Sequence, residues 1–149
     1  MVNTGELFIE KIQIGRTDLI DNFLENAGDS LKSFRYFNKR PVSAIAGHLV
    51  TCLLIDQKRP VGYGHLDLEN EIVWLGIAVI DSGKRKGYGK KIMSFLIDFA
   101  SKSQINEINL SVDKNNQAAI QLYTFFEFEF VGELSEFSIL MKKIISNEG

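Results

Sequence analysis

One cysteine, two prolines, two histidines and one tryptophan among 149 residues exclude several classes of protein at the outset. Cys52 has no partner for an intrachain disulfide, and its seat in the apolar run 49–55 reads as a buried, inert thiol. No histidines and cysteines cluster at ligand spacing, so no metal is expected. No apolar run approaches membrane-spanning length and the first residues carry no signal-peptide core, which makes a cytoplasmic protein without a membrane partner the expectation. A net charge of −2 is not that of a nucleic-acid surface. Repeats, low-complexity tracts and linkers are also missing. With 45% apolar residues, residues 1–149 read as a single domain with room for a core.

What is present concentrates in one stretch. The apolar run 72–80 is followed by Lys84, Arg85, Lys86, Gly87, Tyr88 and Gly89, and the helical period begins there. A strand that ends in a basic, glycine-punctuated turn opening a helix is a phosphate-binding arrangement: glycines admit an anion close to the backbone, and the first N–H groups of the helix point at it. Lys84, Arg85, Lys86, Lys90 and Lys91 gather positive charge that suits a small polyanion better than a duplex.

Along the chain, Leu7, Ile9, Ile12 and Ile14 predict a first strand with one slip in its alternation, and Thr17 and Asp18 are candidate caps for a helix carrying Leu19, Ile20, Phe23 and Leu24. A helical or looped piece follows to Phe34, Arg35, Tyr36 and Phe37, then Lys39, Arg40 and Pro41. These rings and cations either pack and solvate in the ordinary way or contact a substrate. Residues 48–55 and 61–68 read as strands joined by a polar turn, with Pro60 at the entry of the second. Glu69 and Asn70 are predicted to turn the chain into the run 72–80, which is apolar on both faces and therefore central. Ile92, Met93, Phe95, Leu96, Phe99 and Ala100 share one helical face. Ile108, Leu110 and Val112 alternate as a strand, and Asn115 and Asn116 open a helix bearing Ala119, Leu122, Tyr123 and Phe126. Phe128, Phe130 and Val131 predict a strand, residues 132–136 a turn, and Phe137, Ile139 and Met141 a last strand.

This order, with the glycine turn after the fourth strand, resembles the GNAT superfamily of acetyl-CoA-dependent N-acetyltransferases over about residues 61–141. Lys84, Gly87 and Gly89 take the places of the family's pyrophosphate turn, behind Val79; Lys84 replaces the commoner arginine or glutamine, and Asp81 stands where proline is frequent. Further on, Leu110, Val112, Asn116, Ala119, Ile120, Leu122 and Tyr123 follow the family's pattern, with Phe128 after them and Glu127 where glycine is common. The resemblance implies an α/β fold of the acyl-CoA N-acyltransferase type: a mixed, mostly antiparallel sheet with splayed central strands, flanked by helices. Because fold does not fix function, two classes stay open. One is an N-acetyltransferase moving an acetyl group from acetyl-CoA, its cosubstrate, to a primary amine in a ternary complex. The other is a CoA-binding sensor or scaffold without turnover. A mononucleotide binder is a third, weaker reading, since the turn lacks the Walker pattern.

For the transferase, the resemblance implies that backbone groups of Ile77, Ala78 and Val79 hold the thioester and pantetheine arm, with the Ile77 N–H at the oxyanion. Backbone amides from Arg85 to Lys90 would take the pyrophosphate. Asn116 would hold the pantetheine or position its helix, and Tyr123, seven residues on and therefore on the same helical side, would protonate the departing thiolate. The base is less determined. Val73 stands where the histone-acetylating branch has glutamate, so Glu71, one pleat earlier, and His65 are the candidates. If residues 69 and 70 form the loop, His65 opposes Trp74 on the other face; His48 reads as structural. The acceptor is expected between Phe34, Arg35, Tyr36, Phe37 and Arg40 on one side and the 134–137 turn on the other. Aromatics with arginines suit an amino sugar or a peptide amine, whereas acidic groups such as Asp67, Glu71 or Glu136 would favour a polyamine. A homodimer is compatible with the exposed strands.

Overall fold

In the computed structural model, which describes residues 7–13, 15–32, 34–38, 40–80 and 86–145, seven strands form one sheet in the order β1-β2-β3-β4-β5-β7-β6. The strands are β1 (Leu7–Lys11), β2 (His48–Asp56), β3 (Arg59–Glu69), β4 (Ile72–Val79), β5 (Glu107–Asp113), β6 (Glu129–Glu133) and β7 (Ser138–Ile144). Three α-helices accompany them: α1 (Thr17–Asn26), α2 (Tyr88–Lys102) and α3 (Gln117–Phe125). All neighbours pair antiparallel except β4 and β5, which run parallel. The fold class read from the sequence is therefore observed.

The central hairpins are set by their turns. Gln57 and Lys58 between β2 and β3, and Asn70 and Glu71 between β3 and β4, all have positive φ, the conformation of a two-residue turn whose twist matches the flanking strands. The second hairpin corrects the expected register: the loop is residues 70 and 71, Glu69 faces Ile72, and His65 faces Gly76 rather than Trp74. A shift of this kind moves each partner by two residues and leaves the faces unchanged.

Register separates the two faces of the sheet. On β3, a Cβ at Gly62 or Gly64 would lie 2.5 Å from the Ile92 side chain, so these glycines let α2 lie flat on the sheet. With them go Leu66 and, across the ladder, Leu75, Ile77 and Val79. Ile92, Met93, Leu96 and Ala100 are fully buried there, much as the helical period predicts. Tyr63, His65 and Asp67 point the other way with Trp74, Gly76 and Ala78, and Phe23 of α1 stacks on Tyr63 at 6.2 Å between ring centroids. Cys52 is fully buried, and burial pushes its thiol up to about 12.

Several boundaries differ from expectation for local reasons. Arg16, not Thr17 or Asp18, occupies the cap of α1, and no side chain caps it; Asp18 instead pairs with Arg16 at 3.1 Å. The segment between α1 and β2 forms three 3-10 turns, Gly28–Lys32, Tyr36–Asn38 and Val42–Gly47. Gly132 and Glu133 remain in β6, paired with Leu140 and Ile139, so the last turn is 134–137 and β7 runs on to Ile144. Ile14 lies outside the described residues.

Candidate functional site

The site begins where β4 and β5 part. Their only register pair among the described residues is Trp74 with Asn109. The Ile80 N–H donates to the Val61 carbonyl at 2.9 Å, and backbone groups alternate sides along a strand. Even-numbered residues of β4 thus direct their N–H groups to β3 and odd-numbered ones to β5. Ile77 points its N–H at β5 three residues past the last pair, at the height where the strands have separated. A slot opens there with backbone donors on one wall.

At the end of that slot stands the N-terminus of α2. Gly87 caps it with φ +78° and no side-chain bond, and among the described residues, its chain neighbours aside, no atom lies within 4 Å of the place its Cβ would take. The N–H groups of Tyr88, Gly89 and Lys90 belong to the first turn, which has no acceptor within the helix. A phosphate fits this uncapped, glycine-opened end. The Tyr88 side chain turns away and is buried, its hydroxyl donating to the Asp56 carboxylate; that bond holds its phenol above the usual range. Lys90 lies over the Phe125 ring at 4.3 Å, and Lys86 is exposed. Lys84 and Arg85 lie outside the described residues.

Gly89 joins this end to α3. A Cβ there would approach Leu122 Cδ2 to 3.0 Å, so the glycine admits close contact between the two helices, one residue from Tyr123. Tyr123 is buried, its ring 6.0 Å from that of Phe128, and burial pushes its phenol up. Asn116 caps α3, its Oδ1 accepting the Ala119 N–H at 3.2 Å, so its side chain folds back on its own helix rather than following Tyr123. Glu127 keeps φ +68°; the turn that the family commonly makes with glycine is made here by a strained glutamate.

The opposite face of β3 and β4 carries a half-buried polar network. The Tyr36 hydroxyl donates to Asp67 Oδ2 at 3.0 Å and lies 2.6 Å from His48 Nε2, while His48 Nδ1 lies 2.8 Å from Thr51 Oγ1. One assignment satisfies every member: Thr51 donates to Nδ1, Nε2–H donates to Tyr36, and Tyr36 donates to the carboxylate. Beside it, Tyr63 and His65 Nδ1 are 2.7 Å apart, and the His65 ring centroid is 4.4 Å from those of Tyr36 and His48. Burial, followed by the neighbouring His48, holds His65 well below its ordinary value; burial also lowers His48. A Cβ at Gly76 would come 2.6 Å from His65 Cε1 and Nε2. Glycine in the middle of β4 thus lets the imidazole lie across the strand, one residue from Ile77.

A cleft of about 510 Å³ lies at the C-terminal end of β5, lined by Arg35, Asp113, Lys114, Asn115, Glu136 and Phe137. Asp113 is four residues past Asn109 and so level with Ala78, four past Trp74. Of the two expected walls of the acceptor site, Glu136 and Phe137 of the turn line this cleft but only Arg35 of the early segment does; Arg40 lies over the Tyr36 ring instead. Arg35 is engaged within it: its guanidinium makes two bonds to Asp113, at 2.8 and 2.9 Å.

A model of the acetyltransferase (GNAT) family matches residues 17–128. The chain belongs to that family. A relative, the spermine/spermidine N(1)-acetyltransferase of Bacillus subtilis (strain 168), is 43% identical over 70 residues; the match spans 46% of this chain and 46% of that protein, about half the length of each. Among solved structures, a GNAT-family acetyltransferase from Streptococcus pneumoniae superposes with a TM-score of 0.75 at 22% identity, covering 95% of this chain and 100% of that one. A putative acetyltransferase from Salmonella typhimurium, solved with its cofactor acetyl-CoA, gives 0.74 at 15% identity and 95% coverage of both. At these identities the likeness concerns the fold.

Seen as a GNAT fold, the predicted residues separate into two groups. The structure turns the backbone groups of Ile77 and Val79 toward β5 and sets Gly87, Gly89 and Lys90 at the start of α2; those of Ala78 face β3 instead, the Tyr88 side chain points away, and Tyr123 sits on α3, whose Leu122 meets Gly89. Glu71 is not with them: it sits exposed in the β3–β4 turn, six residues and roughly 20 Å of extended strand from Ile77. Phe34, Tyr36 and Phe37 pack on Tyr63 and one another. Tyr63, Thr51, His48 and Gly76 were not singled out as site residues from the sequence. The signal for Gly76 was available, since a glycine inside an apolar strand marks a close approach. Among the described residues no helix is long and apolar enough to cross a membrane and no His, Cys, Asp or Glu group could hold a metal.

Proposed function

We propose that this GNAT protein is an N-acetyltransferase that moves an acetyl group from acetyl-CoA to a primary amine, with an alkyl polyamine as the preferred acceptor class. The observation that carries the reading is the slot between β4 and β5, which has the Ile77 N–H on its wall and the uncapped α2 terminus at its end, with α3, the helix that bears Tyr123, in contact with that terminus through Leu122 and Gly89. The polyamine preference draws on the printed name of the Bacillus subtilis relative; an amino sugar and a peptide amine are the competing acceptors.

Acetyl-CoA supplies a thioester whose acyl carbon is open to an amine and whose sulfur leaves as a thiolate. The chain's own residues do the rest. The Gly87–Lys90 amides hold the pyrophosphate, and the Ile77 N–H donates to the thioester oxygen as charge builds on it. Tyr123, kept protonated by its burial, donates to the sulfur. An alkyl amine with a pKa near 10.4 arrives mostly as ammonium. It must shed a proton to water before it attacks; His65, which burial keeps neutral and a weak base, lies one residue from Ile77 with Nδ1 held by Tyr63 and Nε2 over Gly76 and shapes this side of the site. Glu71 is too distant to take the proton.

Thermal unfolding with acetyl-CoA, CoA or ATP tests the cofactor assignment, because a ligand that binds the native state raises the midpoint. Both CoA forms should raise it and ATP should not, and release of free CoA with spermidine should then exceed that with glucosamine. No shift with either CoA form at millimolar concentration would remove the basis of the proposal.

A further inference from the structure

The cleft at the end of β5 holds charges of both signs, most of them already engaged. Arg35 is bound through both terminal nitrogens to Asp113, and Lys114 Nζ lies 3.0 Å from Glu133. No described residue pairs with Glu136. Next to it Phe137 is 72% exposed, although its backbone is well fastened. Ser135 Oγ accepts the N–H groups of Phe137 and Ser138, both at 3.1 Å, and the Leu134 N–H donates to the Ser138 carbonyl at 3.0 Å. The Phe137 carbonyl accepts the Lys114 N–H at 2.8 Å, which ties the turn to the corner where β5 runs into α3.

An unpaired carboxylate beside an open aromatic face, on a fastened turn, is the chemistry that holds an ammonium on an apolar stem. The carboxylate supplies charge, the ring supplies its negative face, and the fastened backbone leaves little ordering to be done on binding. Asp113 at its edge is level with Ala78, next to Ile77, so the cleft lies at the same end of the sheet as the parted strands.

We infer that Glu136 and Phe137 form a subsite for a second cationic centre of the acceptor, which selects alkyl diamines and polyamines over monoamines. The inference rests on the acetyltransferase reading for the first amine, and its test separates the two. Binding of spermidine and of butylamine to the CoA complex is measured by calorimetry for the wild type, Glu136→Gln, Phe137→Leu and, as a charge control on α1, Glu25→Gln; turnover with acetyl-CoA is followed in parallel. Spermidine should bind more tightly than butylamine, and that preference should fall about fivefold in either cleft variant, as expected for one exposed ion pair or cation–ring contact, but not in Glu25→Gln. Equal binding of the two amines by the wild type, or the same loss in Glu25→Gln, overturns the subsite. Preference for spermidine that depends on Glu136, without acetyl transfer to either amine, leaves the subsite standing and overturns the transferase reading instead.

Discussion

On one face of the sheet β3 presents Gly62 and Gly64 to Ile92 of α2; on the other, the same strand presents Tyr63, His65 and Asp67 to a layer of rings and hydrogen bonds. The first face is built from backbone and the absence of side chains, because a helix must lie close to the sheet. The second is built from side chains that arrive from β2, β3 and the early 3-10 turns. Backbone chemistry tolerates many sequences provided the glycines stay, whereas side-chain chemistry can change with each substitution. A GNAT fold can in this way keep one cofactor slot while its acceptor side varies.

The largest effect is expected where the two faces meet across the slot. Tyr123→Phe should lower kcat by about 10²- to 10⁴-fold, the usual contribution of a positioned proton donor, with the CoA-induced rise in melting temperature retained. A loss of CoA binding together with turnover would mean that the hydroxyl serves the slot's structure rather than the proton.

Next come the two glycines that admit neighbours on opposite faces. Gly64→Ala puts a Cβ 2.5 Å from Ile92 Cγ2 and 3.1 Å from Leu96 Cδ1, both on fully buried side chains; overpacking of this kind costs about 1–3 kcal/mol, read by urea unfolding. Gly76→Ala meets the buried His65 ring at 2.6 Å and should therefore reduce stability by a similar amount and, unlike Gly64→Ala, reduce turnover as well. If both substitutions reduce stability alike while Gly76→Ala leaves turnover intact, the contrast between the faces fails.

The polar face should also make the fold sensitive to acid. His65 and His48 have native pKa values depressed below the ordinary 6.5, so between 6.5 and those values the unfolded chain binds protons that the native chain does not. Stability should hold above pH 6.5 and fall as pH drops below it, by up to about 1.4 kcal/mol per unit for each imidazole. His65→Gln should flatten the slope, and an unchanged slope would place the acid sensitivity elsewhere. The smallest effect concerns the turn after α3: Glu127→Gly relieves a left-handed glutamate at φ +68° and should add about 1 kcal/mol, seen as a rise of about 2–4 °C in melting temperature.

Which parts of this molecule were legible beforehand follows from the same contrast. The run 72–80, Gly87, Gly89 and the pattern from Leu110 to Tyr123 could be read because each is a local requirement: an apolar strand, a left-handed cap, a helical face. The three 3-10 turns were not legible, since they carry no period of their own; the middle one sits where Phe34 and Phe37 pack on Tyr63 and Tyr36 packs on Phe37 and His65. Glu71 was read as a strand residue because Asn70 and Glu71 lack the glycine that marks such a turn, although both adopt positive φ. His48 carried no motif, and only its tertiary contacts, 2.6 Å to the Tyr36 hydroxyl and 2.8 Å to Thr51 Oγ1, give it a place.

By itself the chain's order of residues determined the succession of strands and helices, the glycine-opened end of α2 and the helix that bears Tyr123, because these depend on contacts a few residues apart. Tertiary structure alone decided that β4 and β5 separate after Trp74 and Asn109, that His65 lies across Gly76, and that Arg35 is engaged by Asp113, 78 residues away. Such meetings between distant segments leave no periodicity in the sequence, since what selects them is the fit of side chains that become neighbours only when the sheet has formed.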